Sequence, residues 1–264
     1  MLALRRGDRP HAAAVVAYLF RLDDLADSHL TETTRVMQLE DERIRFRAAL
    51  ATHEPADAEL DVLVRSIGAL GLSETLFERQ FDALIAEVRN PTFETYADWF
   101  AAVEPLAAVL ASIGSTTVLA RRPEVWGRLR DLFVGLTAAD VLVDVDADLD
   151  RGRILLPLED LRRFGAHPGF RRVTPSWRDL MRFEIARARS LLDNGSAGVE
   201  LLEGRAKRFL RIGIALYSQR LRAIEHQDYD VFSSEIRVPR RRQAWVAFRA
   251  ALSRGPVRPA QAAL

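Results

Sequence analysis

Apolar residues recur every three or four positions along most of the chain, which is the spacing of an amphipathic α-helix. Between residues 9 and 29, Val15, Leu19 and Phe20 follow this spacing. The same pattern predicts further helices over residues 31–51, 56–72, 74–90, 93–113, 123–150, 157–164, 175–193, 204–226 and 239–253. Turn signals separate them, among them the letters DNGS at 193–196. The sequence therefore predicts an all-α fold, a bundle of roughly eight to ten helices.

The length and composition predict a single domain. A chain of 264 residues that is 48% apolar has enough material for one sizeable core. We expect the domain to cover residues 1–254. The last ten residues, 255–264, read GPVRPAQAAL and are expected to form a disordered tail.

Charge and residue usage exclude several function classes. The net charge is +1, so no global field favours nucleic acid or an acidic membrane. The arginines of RVPRRRQAW at 237–245 are interpreted as a solvated helix start. The chain has no cysteine, which excludes disulfides and thiolate chemistry. The N-terminal segment lacks the features of a signal peptide or a transmembrane span, so a cytoplasmic location is expected.

Five aspartates are crowded between residues 140 and 150, and three structures compete to explain them. The alternation over residues 142–150 is typical of a strand with one solvated face, but a lone strand has no partner in a helical chain. A calcium-binding loop needs Gly at its sixth position and Glu at its twelfth. Frames that start at Asp144 or Asp146 lack both residues. A helix is the remaining explanation.

On a helix, Asp140, Asp144 and Asp148 lie on one face because they are four residues apart. Each like-charged pair at this spacing costs roughly 0.2–0.5 kcal/mol. Such a face is stable only beside positive charge, and hard divalent cations such as Mg²⁺ accept carboxylate and phosphate oxygens. Asp146 and Asp150 point elsewhere and are expected to be solvated.

An acidic segment nearer the N-terminus, RLDDLADS, contains Asp23, Asp24 and Asp27 near the end of the first helix. Alone it is also compatible with a solvated helix end. Facing the other aspartate helix across a cavity, it would complete a set of six carboxylates. That set is suited to about two or three Mg²⁺ ions that bind a diphosphate, so that an allylic C–O bond can ionise.

These motifs resemble those of the squalene/phytoene synthase family. The pattern D-x-x-x-D-x-x-x-D, followed by R-G-R-x-x-L-P and a leucine-rich helix ending in F-G, is similar to its second aspartate motif. DDLADS is similar to its first motif, and residues 224–240, with Tyr217 upstream, to its closing segment. The resemblance covers residues 9–243. It implies an isoprenoid synthase fold with a central cavity, Mg²⁺, and ionisation of an allylic prenyl diphosphate.

The resemblance also assigns roles to individual residues. It implies that the six aspartates are the metal ligands, with Asp23, Asp27, Asp140, Asp144 and Tyr217 taking part in catalysis. Positively charged side chains expected to bind the diphosphate are Arg21, Arg151 and Arg153.

The chain departs from the family pattern at several positions. The family usually has Asn where Asp140 stands, and its arginine before the DD pair lies one residue farther away than Arg21. Compared with the family pattern, we also expect the helix that usually precedes the first motif to be absent. WFAAVEPLAA at 99–108 stands where the family usually reads Y-C-x-x-V-A-G-x-V-G, and it contains Pro105, which is expected to kink its helix. The acidic insert usual after the letters LI is also absent.

Because these departures affect the half of the site that binds a second diphosphate, the sequence favours a changed second substrate. The departures resemble those of squalene synthase-like aromatic prenyltransferases of secondary metabolism. We expect a prenyltransferase that moves a short prenyl group, dimethylallyl first, to an aromatic acceptor of the carbazole type. Trp99, Phe100 and Tyr217 would then border the cation, although all three are also suited to an ordinary core.

Two alternatives stay open. The first is a head-to-head synthase that makes a phytoene- or squalene-like hydrocarbon from two prenyl diphosphates. The second is a non-catalytic relative that uses the bundle for binding or assembly.

Overall fold

The computed structural model describes residues 6–52, 57–89, 92–116, 123–233, 236, 243–247 and 250. Its helices are α1 Asp8–Ala26, α2 Glu32–Thr52, α3 Ala58–Leu70, α4 Glu74–Arg89, α5 Tyr96–Thr116, α6 Pro123–Val143, α7 Val145–Asp150, α8 Leu158–Phe164, α9 Pro175–Val199 and α10 Gly204–His226. A 3-10 turn covers Pro168–Phe170. Among the described residues, β pairing is limited to one isolated bridge between Thr92 and Ile154. The all-α prediction is confirmed.

The helix bounds differ from the sequence prediction in two informative places. The segment predicted over 123–150 divides at Asp144, whose backbone dihedrals, φ −97° and ψ 9°, leave the helical range. The hydrogen-bond ladder nevertheless continues, since Asp144 N donates to Asp140 O at 2.9 Å and Asp148 N donates to Asp144 O at 2.9 Å. The aspartate segment is therefore helical on both sides of Asp144, and neither the strand nor the calcium loop is formed.

The turn predicted from DNGS at 193–196 is wrong, because α9 continues through it to Val199. Gly195 lies where a Cβ atom would stand 2.6 Å from Leu132 Cα, and Gly198 is packed equally tightly on Arg128. The close contact between α9 and α6 therefore accounts for helix in a stretch whose letters favour a turn. Most of the helix predicted over 239–253, and the whole tail 255–264, lie outside the described residues.

The buried apolar residues form two clusters that meet at α5. One cluster belongs to α1–α4 and centres on Phe46, whose ring lies 5.4 Å from that of Phe77. The other joins α6, α8, α9 and α10 and includes the fully buried Trp177. Helix α5 contributes to both, with Val109 on one side and Ala107 on the other. This arrangement places the end of α1 opposite the α6–α7 junction.

Helix α5 has the length and composition of a possible membrane span. Over Tyr96–Ser115 it is long and apolar enough to cross a bilayer, with a mean hydropathy of 1.3. Its packing between the two clusters accounts for that composition as a core helix. The helix continues without a break through Pro105, where the sequence predicted a kink.

Candidate active site

Helix α1 carries the first acidic segment at its C-terminal end. Its apolar face, with Val15, Leu19 and Leu22 fully buried, fixes how the helix lies on the core. Asp23 is half-buried, whereas Asp24 and Asp27 are exposed. Asp27 ends the helix, and its N–H donates to Asp23 O at 2.8 Å. The three carboxylates therefore lie at the end of the helix dipole that disfavours anions, so they need cationic partners.

The second acidic segment presents its three aspartates in different environments. Asp148 is 5% exposed, Asp140 is half-buried, and Asp144 is exposed at the break between α6 and α7. The sequence predicts that Asp146 and Asp150 are solvated, and both pair with Arg171, with Asp146 Oδ1 at 2.8 Å from Nη1.

Arg153 joins the two acidic segments. Its Nη1 lies 2.6 Å from Asp27 Oδ1 at the end of α1, and its Nη2 lies 2.8 Å from Asp148 Oδ1 on α7. The Arg153 side chain is only 17% exposed. The structure thus brings the two segments within the span of one guanidinium, although they are more than a hundred residues apart along the chain.

Asp140 has its own partners on α10. Tyr217 donates its hydroxyl to Asp140 Oδ2 at 2.9 Å, and Arg220 pairs with Oδ1 of the same carboxylate. Arg220 also lies over the Tyr217 ring, with its guanidinium carbon 5.2 Å from the ring centroid. Arg220 thus supplies a positive charge that compensates the negative charge of the Asp140 carboxylate.

Glu87 on α4 faces the same site, although no sequence motif marks it. Its Oε1 lies 3.9 Å from Arg153 Nη1. A cleft of about 360 Å³ is lined by Asp27, Arg35, Glu87, Arg151 and Arg153. A larger groove of about 630 Å³ between α4 and α5 shares Glu87 with this cleft. Helical periodicity places Glu87 on a polar face but gives no sign of what that face meets.

Negative charge is in excess around the site. Burial, and after it the nearby charges of Glu87 and Asp27, raise the pKa of Asp23 to about 7. Partial desolvation of its carboxyl, followed by the charges of Asp140 and Asp148, raises the pKa of Asp144. In the described part of the chain neither Asp23 nor Asp144 forms an ion pair. Carboxylates whose pKa rises in this way gain from any additional cation.

The donor set fits Mg²⁺ bound together with a diphosphate better than a metal held by protein alone. No group of three or more His, Asp or Glu in the described residues is placed to hold an ion by itself. Mg²⁺ typically uses one or two carboxylates and completes its shell with water and phosphate oxygens. The Nε of Arg153 is also buried without a hydrogen-bond partner among the described residues, which leaves one donor in the site unsatisfied.

Arg21 and Arg151, the other two arginines predicted for the site, differ in their surroundings. Arg21 pairs with Glu42 and with Glu59, its Nε 3.0 Å from Glu59 Oε1, so its charge is already matched by carboxylates outside the acidic segments. Arg151 is exposed and lies 3.7 Å from an oxygen of Asp148, in the cleft.

The two aromatic residues pack in the core. Trp99 is 4% exposed and stacks on Tyr96, with ring centroids 5.5 Å apart. Phe100 lies under Arg130, whose guanidinium carbon is 5.6 Å from the ring centroid. Trp99 is therefore buried in the core and Phe100 is partly buried against it, while Tyr217 contacts an aspartate of the site.

Known proteins share both the sequence pattern and the fold. The family model for squalene/phytoene synthase matches residues 1–242. The chain is 25% identical to a phytoene synthase of Arthrospira platensis over 244 residues, which cover 86% of this chain and 78% of that protein. It is 26% identical to a chloroplastic phytoene synthase of Daucus carota, covering 83% of this chain but only 57% of that protein.

A solved structure is similar over most of its length. The squalene synthase HpnC from Alicyclobacillus acidocaldarius matches with a TM-score of 0.77 and 26% identity, covering 87% of each chain. The isoprenoid synthase-type all-α bundle predicted from the sequence is thereby confirmed.

Proposed function

Because the chain belongs to the squalene/phytoene synthase family, we propose that it is a prenyltransferase that joins two prenyl diphosphates head to head with the aid of Mg²⁺. The observation that carries the proposal is the pair of acidic segments that face each other across Arg153. A cytoplasmic location remains part of the proposal, consistent with the net charge of +1.

The residues suited to hold Mg²⁺ are the six aspartates, at positions 23, 24, 27, 140, 144 and 148. Bound there, Mg²⁺ would neutralise the charge of the diphosphate, so that it leaves more readily from the allylic carbon. Arg153 and the exposed Arg151 would donate hydrogen bonds to diphosphate oxygens, since a guanidinium matches the geometry of phosphate. Both arginines already line the cleft beside Asp27.

The comparisons support a different second substrate from the one that the sequence hypothesis favours. The similar proteins are named phytoene and squalene synthases, which favours a second prenyl diphosphate. An aromatic acceptor is less well supported, because Trp99 is buried in the core and Phe100 is partly buried under Arg130. The alanine-rich floor of the groove between α4 and α5 offers apolar surface beside Glu87.

The test is to measure diphosphate release and identify the products from dimethylallyl, geranyl, farnesyl and geranylgeranyl diphosphates. Each donor is incubated with Mg²⁺ or with EDTA, and with or without a carbazole- or indole-type acceptor. We expect Mg²⁺-dependent release from a long donor alone, with a coupled hydrocarbon as product. The variant Asp144→Asn serves as the inactive control.

Two results would contradict the proposal. Release from dimethylallyl diphosphate that depends on the aromatic compound would establish aromatic prenylation instead. No release from any donor, with Asp144→Asn indistinguishable from the wild type, would favour the non-catalytic alternative.

A further inference from the structure

Arg153 holds a position between carboxylates that the proposed function requires for divalent cations. Its two terminal nitrogens bind Asp27 and Asp148 at 2.6 and 2.8 Å. Asp148 is buried, with a side chain 6% exposed, and the Arg153 side chain is 17% exposed. Cations and diphosphate that bind the two carboxylate oxygens now facing Arg153 would displace the guanidinium. A guanidinium that loses both partners in such a setting is destabilised unless another anion replaces them.

Besides Asp27 and Asp148, Glu87 is the one carboxylate within 4 Å of Arg153 among the described residues. Its Oε1 is 3.9 Å from Arg153 Nη1, which is within ion-pair range but longer than a hydrogen bond. Within the described residues Glu87 makes no side-chain hydrogen bond, in contrast to Asp27 and Asp148. Its carboxylate is therefore free to accept Arg153 without giving up another contact.

The helix that carries Glu87 is separate from both acidic segments. Glu87 lies near the end of α4, whose buried neighbours Leu84, Ile85 and Val88 fix that turn on the core. The backbone at Glu87 is therefore held by the core, beside the two segments that the proposed function assigns to ligand binding.

We propose that Glu87 is a positioning residue that receives Arg153 when Mg²⁺ and diphosphate take over Asp27 and Asp148. Turned toward Glu87, Arg153 remains beside the cleft that both residues line and can donate to the diphosphate. The inference rests on the proposed function in that Mg²⁺ and diphosphate bind between the acidic segments. It adds that Glu87, which belongs to none of the sequence motifs, couples the binding of Mg²⁺ and diphosphate to the position of the Arg153 side chain.

The proposal is tested by a double-mutant cycle on metal binding. Mg²⁺ affinity in the presence of inorganic diphosphate is measured by calorimetry for the wild type, Glu87→Gln, Arg153→Gln and the double variant. We expect Glu87→Gln to weaken binding about tenfold in the wild-type background, the size typical of residues that support a metal site. In the Arg153→Gln background the same substitution should have no effect, because the side chain that Glu87 receives is gone.

The matched control is Glu74→Gln, which removes an exposed carboxylate from the first turn of the same helix. It should change Mg²⁺ affinity less than about twofold, as expected for a surface substitution. Equal weakening by Glu87→Gln in both backgrounds would mean that Glu87 acts on the metal directly, and would overturn the proposal. No weakening in either background would also overturn it.

The cycle reports on Glu87 independently of the reaction catalysed. A wild-type protein that binds Mg²⁺ and diphosphate but forms no coupled hydrocarbon would contradict the proposed function alone. The coupling between Glu87 and Arg153 would still be decided by the same titrations.

Discussion

The hydroxyl of Tyr217 donates a 2.9 Å hydrogen bond to Asp140 Oδ2, and this bond joins α10 to the aspartate of α6. Burial, followed by the charge of Asp140, raises the pKa of Tyr217 to about 12. The hydroxyl therefore stays protonated at neutral pH. Tyr217 is a hydrogen-bond donor that orients Asp140, rather than a general base, and Arg220 completes the environment of the same carboxylate.

Replacing Tyr217 with Phe should release one oxygen of Asp140 while leaving the ring in place. Loss of one hydrogen bond to a charged group costs about 1.5–3 kcal/mol when buried, and less here because the pair is partly exposed. We expect a lower Tm and a fall in turnover, both measured on the purified variant. A variant with unchanged turnover and an unchanged Tm would show that the hydrogen bond has no role in placing Asp140.

Asp140→Asn should be tolerated, in contrast to the same change at Asp144. An amide oxygen also ligates hard cations, and Tyr217 can donate to it as it does to the carboxylate. We expect Asp140→Asn to keep most of the diphosphate release, measured as initial rates with Mg²⁺. The contradictory result would be an equal loss of activity for Asp140→Asn and Asp144→Asn.

Substituting Asp23 or Asp144 with Asn should lower activity and raise thermal stability together. The raised pKa of each carboxyl shows that its negative charge is unfavourable in the protein without cations. Removing that charge should raise Tm by about 1–3 °C, since 1 kcal/mol corresponds to about 2–4 °C for a chain of this size. Diphosphate release should fall about 100-fold or more, as for removal of a group that stabilises transition-state charge.

The opposite changes in activity and stability distinguish a ligand from a structural residue. A structural aspartate would lose stability on substitution. The measurements are thermal unfolding without Mg²⁺ and initial rates with Mg²⁺. A fall in both quantities for Asp23→Asn would contradict the view that these carboxylates are held in excess for cations.

The aspartate positions could be predicted from the sequence because their spacing is local. Residues four apart on a helix share a face whatever the rest of the chain does, and Asp140 is placed by that rule alone. Glu87 and Arg220 could not be predicted, because each reaches the site from a distant helix and neither stands in a motif. Their roles depend on how α4 and α10 pack, and helical periodicity fixes only which face is apolar.

The aromatic residues also show what cannot be predicted from the sequence alone. The sequence predicts that Trp99 borders a cation, whereas its burial depends on the register of α5 against α6. Both environments favour the same residue types, because aromatic side chains fill cores and also line binding sites. The positions of aromatic residues in the sequence therefore cannot distinguish a core position from a binding-site position without the tertiary contacts.

A buried pair of carboxylates in the second cluster predicts how stability changes with pH. Glu184 and Asp160 share Arg187, whose Nη1 lies 2.8 Å from Asp160 Oδ2 and 3.0 Å from Glu184 Oε2. Burial, with the charge of Asp160, raises the pKa of Glu184 to about 8. The folded state then binds a proton that the unfolded state releases near the ordinary pKa of 4.5. This contribution to stability is complete below that value and is lost as pH rises through about 8.

Glu184→Gln should therefore become more stable than the wild type as pH increases. The amide keeps its hydrogen-bonding capacity but does not ionise. The charges of Arg187 and Asp160 therefore still cancel each other. We expect the Tm of the two proteins to diverge in favour of the variant as pH rises toward and through the pKa of about 8. Glu203→Gln, at an exposed carboxylate before α10, is the control and should follow the wild type. Parallel curves for Glu184→Gln and the wild type would contradict the prediction.

The contact between α9 and α6 predicts a large difference between two glycine substitutions. A Cβ atom on Gly195 would stand 2.5 Å from Leu132 Cβ and 2.6 Å from its Cα, so the helices would have to separate. Gly195→Ala should cost about 1–3 kcal/mol, as for other overpacked cores. A Cβ atom on Gly213 in α10 would meet no neighbouring side chain or helix within 4 Å. Gly213→Ala should therefore gain up to about 1 kcal/mol from helix propensity.

The same pair of variants connects this packing to the site. Because α6 carries Asp140 and leads into α7, separation of α6 from α9 should move the second acidic segment. Gly195→Ala should then reduce diphosphate release, while Gly213→Ala should leave it unchanged. Thermal unfolding and initial rates of the two variants check both statements. Equal effects of the two alanines on Tm would contradict the close packing of α9 on α6, since only Gly195 lacks room for a methyl group.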